Sequence, residues 1–126
     1  MEIGESALTQ ARKALGNDKG KISLKEVTLR APIRRPSKIL SVGLNYVAHG
    51  EECGVQMSEF PVVFNKQTSA VNDPYGDVFL PPESEQLDYE GELGIVIGKK
   101  CRRVPKEKAE SVITGYTVIN LSLIHI

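Results

Sequence analysis

Short apolar runs separated by clusters of turn-forming residues dominate the chain, and only its beginning shows a helical period. Ala7, Ala11, Ala14 and Leu15 fall on one face of a predicted helix over 6–15, which Gly16 is placed to stop. A strand is predicted over 27–30, after which Pro32 and Pro36 break regular structure. Further strands are predicted over 39–42, 62–65, 78–80 and 116–119. Asn45 is positioned to cap a brief helix running through Glu52 and ended by Gly54. Asn72-Asp73-Pro74-Tyr75-Gly76-Asp77 reads as a turn. Pro105 opens a helix with Ala109, Val112 and Ile113 inward, which Gly115 stops. Many short strands with few helices predict a β-rich α+β domain.

The most informative segment is Asp88-Tyr89-Glu90-Gly91-Glu92-Leu93-Gly94-Ile95-Val96-Ile97-Gly98. Strand side chains alternate faces, so Glu90 and Glu92 point the same way, ~6.6 Å apart along the backbone. Two carboxylates on one face repel unless a cation lies between them, and Mg²⁺ or Mn²⁺ favours such oxygen ligands. The apolar residues that follow place the strand partly in a core, where unpaired charge is costly. An exposed edge strand with solvated acids is the better explanation of an isolated E-x-E, and spacing alone does not choose.

Composition narrows the partners. The chain has 126 residues, with 16 basic residues balancing 16 acidic ones. Charges of both signs are interspersed, so nothing points to nucleic acid or an anionic membrane surface. The basic cluster Lys99-Lys100-Cys101-Arg102-Arg103 lacks interleaved aromatics and reads as a solvated turn. No apolar stretch is long enough to span a bilayer, and Met1 opens no signal-peptide pattern. Cys53 and Cys101 are too few and too far apart for a disulfide framework or zinc site, and are expected as free thiols in a reducing cytoplasm.

Taken in order, several segments carry a resemblance. They are Ser37-Lys38-Ile39-Leu40-Ser41-Val42-Gly43-Leu44-Asn45-Tyr46-Val47-Ala48-His49-Gly50-Glu51-Glu52, then Pro61 through Ala70, then Val78-Phe79-Leu80-Pro81-Pro82, then the Glu90/Glu92 strand, and finally Gly115-Tyr116-Thr117-Val118-Ile119-Asn120. Together they resemble the fumarylacetoacetate hydrolase family from Lys38 to Asn120. The resemblance implies a mixed β-sandwich roll and a lead-in over 1–37, followed by a partial catalytic domain over 38–120. It also implies that the complete protein is a homodimer.

The same resemblance implies site residues. Glu90 and Glu92 become two of three acidic ligands of Mg²⁺ or Mn²⁺, and His49 a general acid/base that Glu52 orients. Lys66 and Tyr46 become substrate contacts. Read without the family, His49 and Lys66 are equally ordinary surface residues, and Tyr46 either touches substrate or packs. Glu51 faces away from His49 on a helix, and Asp88 shares the acidic face either as a rim residue or as the holder of a metal-bound water. The implied reaction is cleavage, decarboxylation or isomerisation of small 2-oxo or enol dicarboxylic acids through a metal-stabilised enolate.

In the family an aspartate, the third ligand, directly follows the asparagine that corresponds to Asn120. Here Leu121 stands there, and Leu121-Ser122-Leu123-Ile124-His125-Ile126 reads like one frame of a transposon-end sequencing adapter. A truncated gene fragment with a non-native tail over 121–126 is therefore expected, inactive alone, with His125 not counted as a ligand. The competing expectations are a short non-catalytic β-rich binding protein and a degenerate family member that binds 2-oxo acids without turnover.

Overall fold

The computed structural model describes residues 5–17, 20–56 and 58–125. Helix α1 spans Glu5–Leu15, strand β1 Ile39–Gly43, helix α2 Val47–Glu52 and strand β2 Val62–Lys66. Strands β3 (Gln86–Ile97) and β4 (Ile113–His125) are much longer. Turns of 3-10 helix occupy Leu24–Glu26, Thr68–Ala70 and Lys106–Val112. The elements fall into two compact units, Ile22–Asp77 and the two segments that flank it. The strand-rich α+β class read from the sequence holds.

In the unit Ile22–Asp77, β1 and β2 pair antiparallel, from Ile39 opposite Lys66 to Gly43 opposite Val62. Leu44 follows β1 with a φ of 55°, a left-handed conformation unusual for a branched residue. The chain then enters α2. Residues 27–30, predicted as a strand, join neither sheet. Val27 is extended, but the segment is held by a side chain instead of a ladder. Arg30 Nη1 donates to Asp73 Oδ2 at 2.6 Å, and the Ala31 N–H donates to Asp73 Oδ1 at 2.8 Å. The turn that presents Asp73 is itself braced: Asn72 Nδ2 donates to the Asp77 carbonyl at 2.9 Å, and the Gly76 N–H to the Asp73 carbonyl at 2.9 Å. Its tip carries Tyr75 at φ 64°.

In the other unit, β3 and β4 form one antiparallel hairpin. Ser84 starts it: its hydroxyl accepts the Gln86 N–H at 3.1 Å, and among the described residues it is the buried polar side chain. Residues 78–80, predicted as a strand, join no ladder before it. The predicted helix after Pro105 is a 3-10 segment, with Val112 and Ile113 half-buried but Ala109 exposed. β4 runs far beyond the predicted 116–119, because β3 offers a continuous pairing edge from Ile97 back to Gln86.

Alternation gives this hairpin two unlike faces. Glu90, Glu92, Gly94 and Val96 share one face with their partners Leu121, Ile119, Thr117 and Gly115. A Cβ on Gly94 would lie 2.7 Å from Ile119 Cδ1, so the residue is glycine where a neighbouring side chain crosses the strand. The opposite face carries Tyr89, Leu93, Ile95, Ile97, Tyr116 and Val118, all exposed, Val118 to 85% and Tyr89 to 79%. No apolar side chain among the described residues is buried. An isolated two-stranded hairpin is only marginally stable in water, so a face this apolar contributes little until something covers it.

Candidate functional site

Glu90 and Glu92 stand on the same face of β3, both half-buried, as the alternation predicts. The register adds what spacing could not: Leu121 lies directly opposite Glu90, and Ile119 opposite Glu92. Cross-strand partners bring Cβ atoms to about 4.5–5.5 Å, so the residue at position 121 is the neighbour of Glu90 on the acidic face. Asp88 shares that face by parity, and its Oδ1 accepts the Tyr89 N–H at 2.8 Å.

His49 and Glu52 are three residues apart on α2, and both are exposed. The imidazole meets sulfur rather than the carboxylate: Cys53 Sγ lies 3.9 Å from both Nδ1 and Nε2. Cys53 is expected from the sequence only as a free thiol, although its i+4 spacing from His49 signals the approach. The helix is capped at Tyr46, one residue later than predicted, with no side-chain cap; the Tyr46 carbonyl accepts the Gly50 N–H at 3.2 Å. Lys66 ends β2, half-buried, with Nζ 5.7 Å from the centroid of the Phe64 ring. That cation–π contact holds the ammonium beside the strand end.

Tyr46, His49, Glu52 and Lys66 thus belong to the unit Ile22–Asp77, and Glu90 and Glu92 to the other. A shallow cavity of about 450 Å³ in the first unit is lined by Leu24, Val27, Arg30, Asp73 and Tyr75 among others, and by none of the expected site residues. It is a cleft between residues 24–30 and the Asp73 turn. The side chain of His125 lies outside the described residues.

The acidic face can be tested against a Mg²⁺ or Mn²⁺ ion. Such an ion takes about six oxygens, usually with waters completing a set of protein carboxylates. Glu90 and Glu92 supply two, while Leu121 fills the position facing Glu90 with a hydrocarbon side chain. Among the described residues no group of three His, Cys, Asp or Glu could hold a metal. The donor set as it stands does not fit a resident divalent ion.

Residues 38–122 match the model of the fumarylacetoacetate (FAA) hydrolase C-terminal domain, and the chain belongs to that family. It is 40% identical over 118 residues to the mitochondrial oxaloacetate tautomerase Fahd2a of Rattus norvegicus, covering 94% of this chain and 38% of the relative. It is 41% identical over 118 residues to the corresponding Homo sapiens tautomerase FAHD2A, with the same coverage of 94% and 38%. The crystal structure of 5-carboxymethyl-2-hydroxymuconate delta-isomerase from Mycobacterium smegmatis superposes with a TM-score of 0.68 at 42% identity, over 85% of this chain and 43% of that one. The chain therefore spans well under half the length of the relatives it matches. Among the described residues no helix is long and apolar enough to cross a membrane.

Proposed function

We propose that this chain is part of an enzyme that moves a proton between carbon and oxygen in small 2-oxo or enol dicarboxylic acids. The observation that carries the reading is the family match, with relatives named as an oxaloacetate tautomerase and a hydroxymuconate isomerase. Hydrolysis and decarboxylation of related acids pass through the same enolate and remain within the proposal. His49 is the proton carrier, taking a proton from the carbon beside the carbonyl and returning it at the far end of the enol. Glu52, three residues further along α2, takes the role of orienting the imidazole, in place of the Cys53 sulfur that is the ring's neighbour in this structure. The Lys66 ammonium and the Tyr46 hydroxyl hold the substrate carboxylate and the developing oxyanion.

Glu90 and Glu92 would supply two of the ligands that the family resemblance implies for Mg²⁺ or Mn²⁺, a set that the described residues of this chain do not complete. Because Leu121 faces Glu90, no step is assigned to the ion here, and the chain alone is expected to turn over little or no substrate. The exposed free thiols favour a reducing compartment, which we take to be the cytoplasm, and the complete protein is proposed to be a homodimer. Leu121 also favours a second reading, a degenerate member that binds 2-oxo acids without turnover.

A chimera separates the two. Residues 38–122, Leu121 included, replace the matched stretch of the human tautomerase, and oxaloacetate enol–keto conversion is followed. Retained conversion that drops about 10²–10⁴-fold on His49→Gln, and more through KM on Lys66→Ala, supports the enzyme. A folded chimera that binds oxalate but converts nothing supports the degenerate reading.

A further inference from the structure

Phe64 and Lys66 stand two residues apart on β2, so alternation puts their side chains on one face. The register completes that face: Ser41 lies opposite Phe64, Ile39 opposite Lys66, and Gly43 opposite Val62. These β1 residues are half-buried while Leu40 and Val42 between them are exposed, so Lys66 lies on the more covered side of the sheet. The Phe64 ring reaches Gly43, where an added Cβ would meet Cε1 at 3.7 Å, an ordinary contact. Lys66 Nζ lies 5.7 Å from the centroid of the same ring. One ring thus stands beside both the end of β1, which leads into α2, and the ammonium at the end of β2.

How the ammonium is held decides what it can still bind. Arg30 is met by a carboxylate, Asp73, which offsets its charge. Among the described residues no carboxylate pairs with Lys66, whose contact is with a ring quadrupole. A quadrupole attracts the cation without supplying a counter-charge, so the positive charge stays available to an anion. The flexible four-carbon stem of a lysine loses freedom when its head binds a ligand, and a contact made beforehand lowers that loss. We propose that Phe64 is a positioning residue, which holds the Lys66 ammonium ready for a substrate carboxylate without neutralising it. The proposal rests on Lys66 being a substrate contact, as proposed above, whereas the contact of ring and ammonium does not.

The test applies two measurements to the full chain. The first is proton–carbon NMR of the lysine ε-methylene groups, with Lys66 identified by the signal lost in Lys66→Met. That signal is expected upfield of the other lysines through the ring current, to stay there in Phe64→Tyr and to rejoin them in Phe64→Leu. The second is the affinity for oxalate, a small dicarboxylate, by titration calorimetry. Lys66→Met is expected to weaken it at least tenfold, as loss of a charge-assisted hydrogen bond does. Phe64→Leu is expected to weaken it about two- to fivefold, and Phe64→Tyr to leave it unchanged. A 3,4,5-trifluorophenylalanine at position 64 keeps the ring's shape but drains its quadrupole, and is expected to match Phe64→Leu. Phe64→Leu added to Lys66→Met is expected to cost nothing further, because no ammonium remains to be positioned. Circular dichroism establishes that each variant is folded like the parent.

A Lys66 signal that is not upfield, or that Phe64→Leu does not move, overturns the proposal. Affinity lowered by Phe64→Leu but not by the fluorinated ring, or lowered as much in the Lys66→Met background, reduces Phe64 to packing and overturns it too. Affinity that falls in Lys66→Met but not in Phe64→Leu overturns the role of Phe64 alone. With the NMR shift intact, affinity unchanged by Lys66→Met, or no oxalate binding at all, overturns Lys66 as a substrate contact and the proposal with it.

Discussion

Leu121→Asp is the substitution on which the register makes its sharpest demand. It places a third carboxylate opposite Glu90 and diagonal to Glu92, on a face that is half-buried. At about 5 Å the repulsion between two such charges is about 0.8 kcal/mol in a water-like medium and about 3 kcal/mol at an effective dielectric of 20. The lost packing of a half-buried leucine adds about 1 kcal/mol. Without metal the variant is therefore expected to be about 2–4 kcal/mol less stable than the parent, and to recover as salt screens the charges. With Mn²⁺ at 100 times its dissociation constant, binding to the folded state returns about 2.7 kcal/mol. Urea unfolding followed by circular dichroism, in EDTA and in Mn²⁺, measures both arms. Val118→Asp is the control, since Val118 stands on the opposite face at 85% exposure and is expected to gain nothing from Mn²⁺. Equal Mn²⁺ stabilisation of the parent, or of Val118→Asp, would refute the assignment of position 121 to the acidic face.

Four further outcomes follow from other contacts. Asp73 is held below the usual carboxylate range, first by the Arg30 hydrogen bond and then by the Ala31 N–H. A depressed folded-state pKa contributes stability above the ordinary aspartate value of about 3.9 that is lost as pH falls through the lower one. The parent is thus expected to lose stability across that acid window and Asp73→Asn to lack that loss; parallel unfolding-versus-pH curves would contradict it. Gly98→Ala brings a Cβ to 2.6 Å from Thr114 Cβ, a stem atom that cannot swing away, and is expected to cost about 1–3 kcal/mol in urea unfolding. Gly91→Ala meets nothing within 4 Å and is expected to stabilise by about 0.5–1 kcal/mol. Deleting Thr114 from Leu121→Asp is expected to abolish the Mn²⁺ stabilisation, measured as above.

Much of the chain could be read from sequence because local chemistry decided it. Gly16 and Gly54 end helices, the Asn72–Asp77 cluster turns, and period-two alternation put Glu90 and Glu92 together. Residues 27–30 and 78–80 have strand composition, but a strand exists only where a partner edge is available, and composition does not report partners. Residue 73 was legible as a turn aspartate but not as the clamp on Arg30 and Ala31, because the contact joins segments more than forty positions apart. His49 and Glu52 could be placed on one helix, while the nearer approach of Cys53 depended on side-chain direction.

The least legible feature is also the one on which the acidic face depends. Val96 pairs with Gly115, but Ile97 pairs with Ile113, so Thr114 is an extra residue bulged out of β4. Carried back along the hairpin from Ile97 without that bulge, the pairing would set Asn120, not Leu121, opposite Glu90. A slip of one residue moves every β4 side chain to the other face, so Leu121 would join Tyr89 and Val118 would join the glutamates. Gly98 fixes the end of the hairpin where this is decided: its N–H donates to the Val112 carbonyl at 2.9 Å, and its missing side chain lets Thr114 close in. The chemistry available around Glu90 and Glu92 is therefore set at the far end of the hairpin, seven positions along β4 from Leu121, by one inserted threonine. No alternation pattern within β3 alone contains that information.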